Sequence, residues 1–230
     1  MELSKRLNMI LSKVDRCECI ADVGTDHGYV VVELIKRELC KKAIATDINK
    51  GPLEKAKTNI GFEGMLDRVY CRLGGGFFPI KKGEVNAVIV AGMGGNLIRD
   101  IILADMSKVK LMDYLVLQPA QNPEVLREFL YNNSFEVLDE DICEDDGKYY
   151  ECFKVKFNKD VKNVGTYDEL DYEISSVLID KGDSTIKNYI SSKIESYEKI
   201  LGYLKDNSES AKERKHDLEE KVKRLKAMIN

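Results

Sequence analysis

The sequence predicts an open α/β fold: a mostly parallel sheet with helices on both faces, ended by an antiparallel hairpin and followed by a C-terminal antiparallel helical hairpin. Three observations carry this. From Glu18 to Phe157, short apolar runs alternate with stretches of helical period, the pattern of right-handed crossovers between parallel strands. The last two apolar runs are joined by "EDDGK", a hairpin signal centred on Asp146 and Gly147. Beyond Phe157 nothing reads as a strand, and apolar positions step by three and four.

In chain order, Cys19–Val23, Ala43–Ile48, Val69–Leu73, Ala87–Val90 and Tyr114–Leu117 read as strands. Between them Tyr29–Leu39, Pro52–Phe62, Gly95–Leu103 and Pro123–Tyr131 read as helices. Pro52 and Pro123 suit first-turn positions, where no amide hydrogen is required. Phe135–Cys143 and Tyr150–Phe157 form the hairpin. The polar stretch "NKDVKNVGT" then separates an α/β domain over residues 1–158 from a helical domain over 166–230. The second domain holds three helical patterns, the last two long and separated near Asp206–Ser208. Ile186, Ile190, Ile194, Tyr197, Leu201 and Leu204 make one narrow apolar seam; Leu218, Val222, Leu225 and Ile229 make the other. Such a pair predicts a coiled-coil-like hairpin.

Composition excludes several functions. The 230 residues are 43% hydrophobic and 33% charged with a net charge of -4, enough for a real core and no advertisement of a polyanion partner. No apolar run reaches membrane-spanning length, and "MELSKRLNMI" lacks the long apolar region of a secretory signal; a cytoplasmic protein is expected. The cysteines at 17, 19, 40, 71, 143 and 152 form no CxxC pair and lie in or beside apolar runs, as structural thiols do. With only His27 and His216 for imidazole ligands, no metal site is expected. Residues 212–226 hold seven Lys/Arg against four Asp/Glu. That surplus is either a solvated face or an RNA-facing surface.

The chemistry concentrates in "ADVGTDHGYVVVEL", residues 21–34, where a strand turns through Gly24 and Gly28 into a helix. This is the place where open parallel sheets hold nucleotides. The spacing is not GxGxxG, and Asp22 and Asp26 would repel a diphosphate. S-adenosylmethionine meets both constraints, having no phosphate and carrying an ammonium and a sulfonium beside one carboxylate. Acidic groups suit the cations, and loop amides near a helix start suit the carboxylate. Asp47, at the tip of the second strand beside Ile48, can accept from ribose hydroxyls. After the third strand, Gly74, Gly75 and Gly76 admit close approach of an adenine edge. The fourth strand ends in "IVAGMGGN", where Gly92 and Met93 wall the reactive centre.

Together these segments resemble a known family, the bacterial tRNA (adenine-22-N1)-methyltransferases. The resemblance spans nearly the whole chain and rests on "LSKRL", "ADVGTDHGY", "GPLEKAK", "IVAGMGGNLI", "LQP" and "EDDGKYYE" together with the helical hairpin. It implies a Rossmann-like class I methyltransferase sheet with a coiled-coil appendage, and methylation of an adenine N1 in the tRNA D-loop. Two departures stand out. Gly75 occupies a position where relatives commonly carry Asp, and Ala120 one where they commonly carry Asn, although Asn122 lies close.

Adenine N1 already has an in-plane lone pair, so its methylation needs alignment and stabilisation of the charge that appears on the base. Asp26 either faces that charge or caps the helix opening at His27–Tyr29. Tyr29 either abuts an unstacked base or belongs to the core. His27 binds cofactor or holds the loop. Lys5, Arg6, Gln118, Lys215, Lys223 and Arg224 are the candidates for contact with tRNA. The alternative reading is a methyltransferase for another RNA or a small molecule with the same cofactor site. A monomer is expected.

Overall fold

The structure is a computed structural model that describes residues 3–161, 167–204 and 208–229. It divides into two compact units, Met1–Thr166 and Tyr167–Asn230. The "NKDVKNVGT" stretch lies partly, and the break near Asp206–Ser208 mostly, outside the described residues.

In the first unit the elements run α1 (Lys5–Ser12), β1 (Cys17–Val23), α2 (Tyr29–Lys36), β2 (Cys40–Asp47), α3 (Lys50–Phe62), β3 (Val69–Leu73) and β4 (Ala87–Gly94). They continue through α4 (Gly95–Ala104), α5 (Met106–Val109), β5 (Tyr114–Gln121), α6 (Pro123–Asn132), β6 (Phe135–Asp145) and β7 (Lys148–Phe157). The seven strands order as β3-β2-β1-β4-β5-β7-β6. β1 to β5 pair in parallel, whereas β7 runs antiparallel to both β5 and β6. The order reverses at β1, which lies between β2 and β4, and that switch point opens a crevice at the strands' carboxyl ends.

Local chemistry explains most boundaries. Ser4 caps α1 by accepting from the Leu7 amide at 3.3 Å, and Pro123 opens α6 at its first position. The structure departs from expectation where tertiary pairing or backbone strain intervenes. β4 and β5 run on to Gly94 and Gln121 because Met93 pairs with Pro119 and Gly94 with Gln121. α2 stops at Lys36, three residues early, because Glu38 takes φ 55 to feed Cys40 into β2. α1 and α5 were outside the elements read from periodicity.

The core lies where β1, β2, β4 and β5 meet α1, α2 and α3, with Ile10, Ile20, Val31, Leu34, Ala43, Ile60, Ile89 and Val116 at 0% exposure. α1 is pinned to β6 at both ends: the Arg6 amide donates to Asp145 Oδ2 at 3.1 Å, and Lys13 Nζ lies 2.6 Å from Asp139 and 2.8 Å from Asp141. On the other face, buried Arg127 of α6 pairs with Glu140 at 3.0 Å and with Glu151, its guanidinium 4.9 Å from the Phe153 ring centre.

The second unit contains α7 (Glu169–Glu173), α8 (Ser176–Lys181), α9 (Ser184–Tyr203) and α10 (Glu209–Ile229). The first helical pattern is thus two short helices. Ser175 separates them and caps α8 by accepting from the Leu178 amide. α9 and α10 pack against each other. Ile186, Ile190, Ile194, Val222 and Leu225 are buried, while Tyr197, Leu201, Leu204, Leu218 and Ile229 are half-buried.

Candidate cofactor and substrate site

At the switch point the carboxyl ends of β1, β2 and β4, with the segment after β3, enclose a cleft of about 800 Å³. Its floor is the Gly24 loop. Gly24 takes φ 79, and a Cβ there would stand 2.2 Å from the Met93 methyl, so the close approach of β4 over the loop requires glycine. The Gly24 and Thr25 amides both donate to the Thr46 carbonyl at 2.8 Å. These two amides are therefore already engaged within the sheet.

Asp22, Asp26 and Asp47 line the cleft and bring three carboxylates together. Asp22 is 5% exposed, and burial pushes its carboxyl up to about 6, reinforced by the Asp47 charge and opposed by the Thr25 hydroxyl. Asp47 is half-buried at the end of β2, with Oδ1 accepting from the Asn49 amide at 2.7 Å. Ile48, Gly74, Gly75, Gly92 and Met93 also line the cleft, as do Leu97 and Ile101 of α4. The missing side chain at Gly75 leaves Ile48 as the nearest group to that wall, 3.3 Å from where a Cβ would stand.

Asp26 does not cap α2. Gly28 holds the N-cap position at φ 71, and no side chain bonds there. The Asp26 carboxylate is instead 81% exposed at the cleft, 3.3 Å from His27 Nε2. Tyr29 lines the cleft and stacks on His27, with ring centroids 5.4 Å apart and planes 8° apart. His27 itself is not among the cleft-lining residues; it faces a neighbouring recess with Glu54, Lys55, Thr58 and Asn59. Its carbonyl accepts from Asn59 at 3.0 Å.

Of the residues expected to face tRNA, Arg6 lines the cleft, whereas Lys5 is exposed on α1 and Gln118 is fully buried. Gln118 donates to its neighbour's carbonyl at Pro119 and accepts from Arg6 Nη1 at 3.5 Å. In the helical unit Lys215 and Lys223 are exposed and pair with acids of their own helix, Glu219 at 3.9 Å and Glu220 at 3.4 Å. Arg224 pairs with Asp168 at 2.5 Å, with Asp171 at 3.6 Å, at the surface of the same unit. Sequence reasoning missed Ser4, Leu7, Asn49, Leu97 and Ile101. The spacing of Leu97 and Ile101 by one helical turn after "AGMGG" was the available signal. Nothing local marked Ser4 or Leu7.

The residues fit S-adenosylmethionine in their donor set: carboxylates for a dicationic end, glycine walls for close approach, and Leu97 and Ile101 as apolar contact for an adenine. The sheet order and this acidic, phosphate-hostile cleft are those of a class I methyltransferase. Within that class, a family model for tRNA (adenine(22)-N(1))-methyltransferase matches residues 20–227, and the chain belongs to that family. It is 37% identical over 151 residues to the tRNA (adenine(22)-N(1))-methyltransferase of Bacillus subtilis, an alignment covering 66% of this chain and 63% of that protein. The crystal structure of the B. subtilis m1A22 tRNA methyltransferase TrmK superposes with a TM-score of 0.87 at 28% identity, covering 100% of this chain and 99% of the other. A Streptococcus pneumoniae protein solved in complex with S-adenosyl-L-methionine gives 0.87 at 27% identity, with 100% of both chains covered.

Proposed function

We propose that this chain methylates N1 of adenine 22 in the D-loop of tRNA, using S-adenosyl-L-methionine. The observation that carries the reading is the convergence of Asp22, Asp26 and Asp47 on one glycine-walled cleft at the switch point, in a chain of this family. When bound, S-adenosylmethionine supplies a methyl group on a cationic sulfur. Asp47 would accept from the ribose hydroxyls, and buried Asp22 would meet the ammonium group through a charge-assisted contact. Gly92 and Met93 would wall the side where the acceptor enters. Adenine N1 would attack with its own lone pair as the methyl–sulfur bond breaks, its electron pair passing to sulfur and S-adenosylhomocysteine leaving, so no residue has to remove a proton first. The residues' work is alignment at about 3–3.5 Å and stabilisation of the positive charge arising on the base. Asp26, exposed at the cleft and not used as a cap, supplies the negative charge; Tyr29, braced by His27, offers a ring against which the base rests. Lys5, Lys215 and Lys223 are positioned on exposed surfaces for phosphate contact.

Incubation with labelled S-adenosylmethionine and unmodified tRNA, followed by nucleoside analysis, tests the reading. Label in 1-methyladenosine is the expected result. Label in another nucleoside, or in a metabolite and not in tRNA, overturns it.

A further inference from the structure

We propose that Arg6 binds the carboxylate at the amino-acid end of S-adenosylmethionine, and so belongs to the methyl-donor site instead of the tRNA-facing surface. The assignment rests on the cofactor reading above. That ligand carries one anionic group among its cations, and a cleft dominated by aspartates must satisfy it somewhere. Among the described residues, Arg6 is the only Lys or Arg that lines the cleft. Of the loop amides, those of Gly24 and Thr25 both donate to the Thr46 carbonyl.

Placement agrees with charge. Arg6 Nη1 lies 3.7 Å from where a Cβ on Gly92 would stand, on the β4 side of the cleft. Asp47, Ile48 and Gly75 lie on the β2 and β3 side. A ligand with its ribose at Asp47 and its ammonium near Asp22 of β1 continues toward β4, and therefore toward Arg6. The guanidinium is also kept available. Its side-chain contacts are neutral, Gln118 Oε1 at 3.5 Å and the Tyr150 ring at 5.3 Å. Asp145 takes the Arg6 backbone amide and is also held down by the Arg6 charge. An arginine meant for a phosphate on the tRNA surface would stand outside the cleft, as Lys5 does. Arginine suits a carboxylate because its planar fork can donate twice.

Calorimetry with S-adenosylmethionine and with decarboxylated S-adenosylmethionine isolates the contact. Wild type is expected to bind the decarboxylated ligand about 10–100-fold more weakly, the range for a charged hydrogen bond. Arg6→Met is expected to lose the same factor for S-adenosylmethionine and less than about threefold for the decarboxylated form, which doubles as the test that the variant is folded. Equal losses for the two ligands overturn the assignment, as does unchanged cofactor affinity with a raised KM for tRNA. Should Arg6→Met bind neither ligand, Arg6→Lys decides: a loss confined to the carboxylated ligand supports the proposal, and an equal loss for both overturns it. If wild type binds neither ligand, the cofactor reading itself fails; if it binds both equally, only the role of Arg6 does.

Discussion

In the α/β unit, Arg127 is fully buried with Glu140 and Glu151, which are 1% and 4% exposed. In the helical unit the comparable pairs lie near the surface, Arg224 with Asp168 at side-chain exposures of 42% and 53%, and Lys226 with Glu198 at 52% and 48%. The contrast teaches how to weigh a charge in this molecule. At the surface an ion pair is screened and contributes about 0–1 kcal/mol, so its presence says little. In the interior a charge must be complete or it destabilises strongly. Asp22, buried in the cleft, answers the same cost differently: burial favours its neutral form.

Four experiments sharpen or break this contrast. The largest effect is expected from Arg127→Met, which leaves two buried carboxylates facing each other. Unfolding free energy should fall by about 3–5 kcal/mol. A denaturant midpoint close to wild type would show that the cluster tolerates protonation instead.

Next is Asp26→Asn. If the carboxylate meets charge that exists only during transfer, kcat and kcat/KM should fall together by about a hundredfold, or about 3 kcal/mol. Because Asp26 caps no helix here, stability should hardly move. An unchanged single-turnover rate would remove Asp26 from the chemistry, and a loss of cofactor affinity alone would reassign it to the ammonium group.

Asp22→Asn should act in opposite directions on stability and binding. Burial pushes the folded carboxyl up to about 6, while in the unfolded chain an aspartate has its ordinary value of 3.8. Between those values the folded state binds more protons, so the wild type loses stability as pH rises through the window. The variant lacks that loss and should be more stable than wild type above pH 6, by about 2–3 kcal/mol, when no cofactor is present. Its cofactor affinity should nevertheless be weaker. Parallel stability curves for the two proteins from pH 4 to 7 would refute the burial argument.

The smallest effect on folding belongs to the helical unit. Charge reversal at Lys215 and Lys223 should change stability by less than about 0.5 kcal/mol, yet raise KM for tRNA several-fold and flatten its salt dependence. An unaltered salt slope would leave those lysines as a solvated face.

What the sequence revealed follows the same division. Gly24, Asp47 and Gly92 were legible because each follows an apolar run within a few residues, and a strand end is a local signal. The seam of Ile186, Ile190 and Ile194 was legible because helical spacing is local too. The Arg127 cluster was not, since its members are 13 and 24 residues apart and look like ordinary charges. Arg6 entering the cleft was equally hidden, because α1 is placed by β6 and not by its own sequence. The engagement of the Gly24 and Thr25 amides by Thr46 likewise depends on a pairing between β1 and β2 that no single stretch contains.

The bond from the Arg6 amide to Asp145 spans 139 residues, and this separation has a meaning in time. A ribosome adds about 5–20 residues per second, so α1 emerges roughly 7–28 s before the acid that accepts from its Arg6 amide. During that interval the nascent chain can acquire its early strands and glycine turns while one wall of the cleft remains untethered. Methyl-donor binding by a ribosome-held chain should therefore switch on late, as the β6–β7 hairpin clears the exit tunnel.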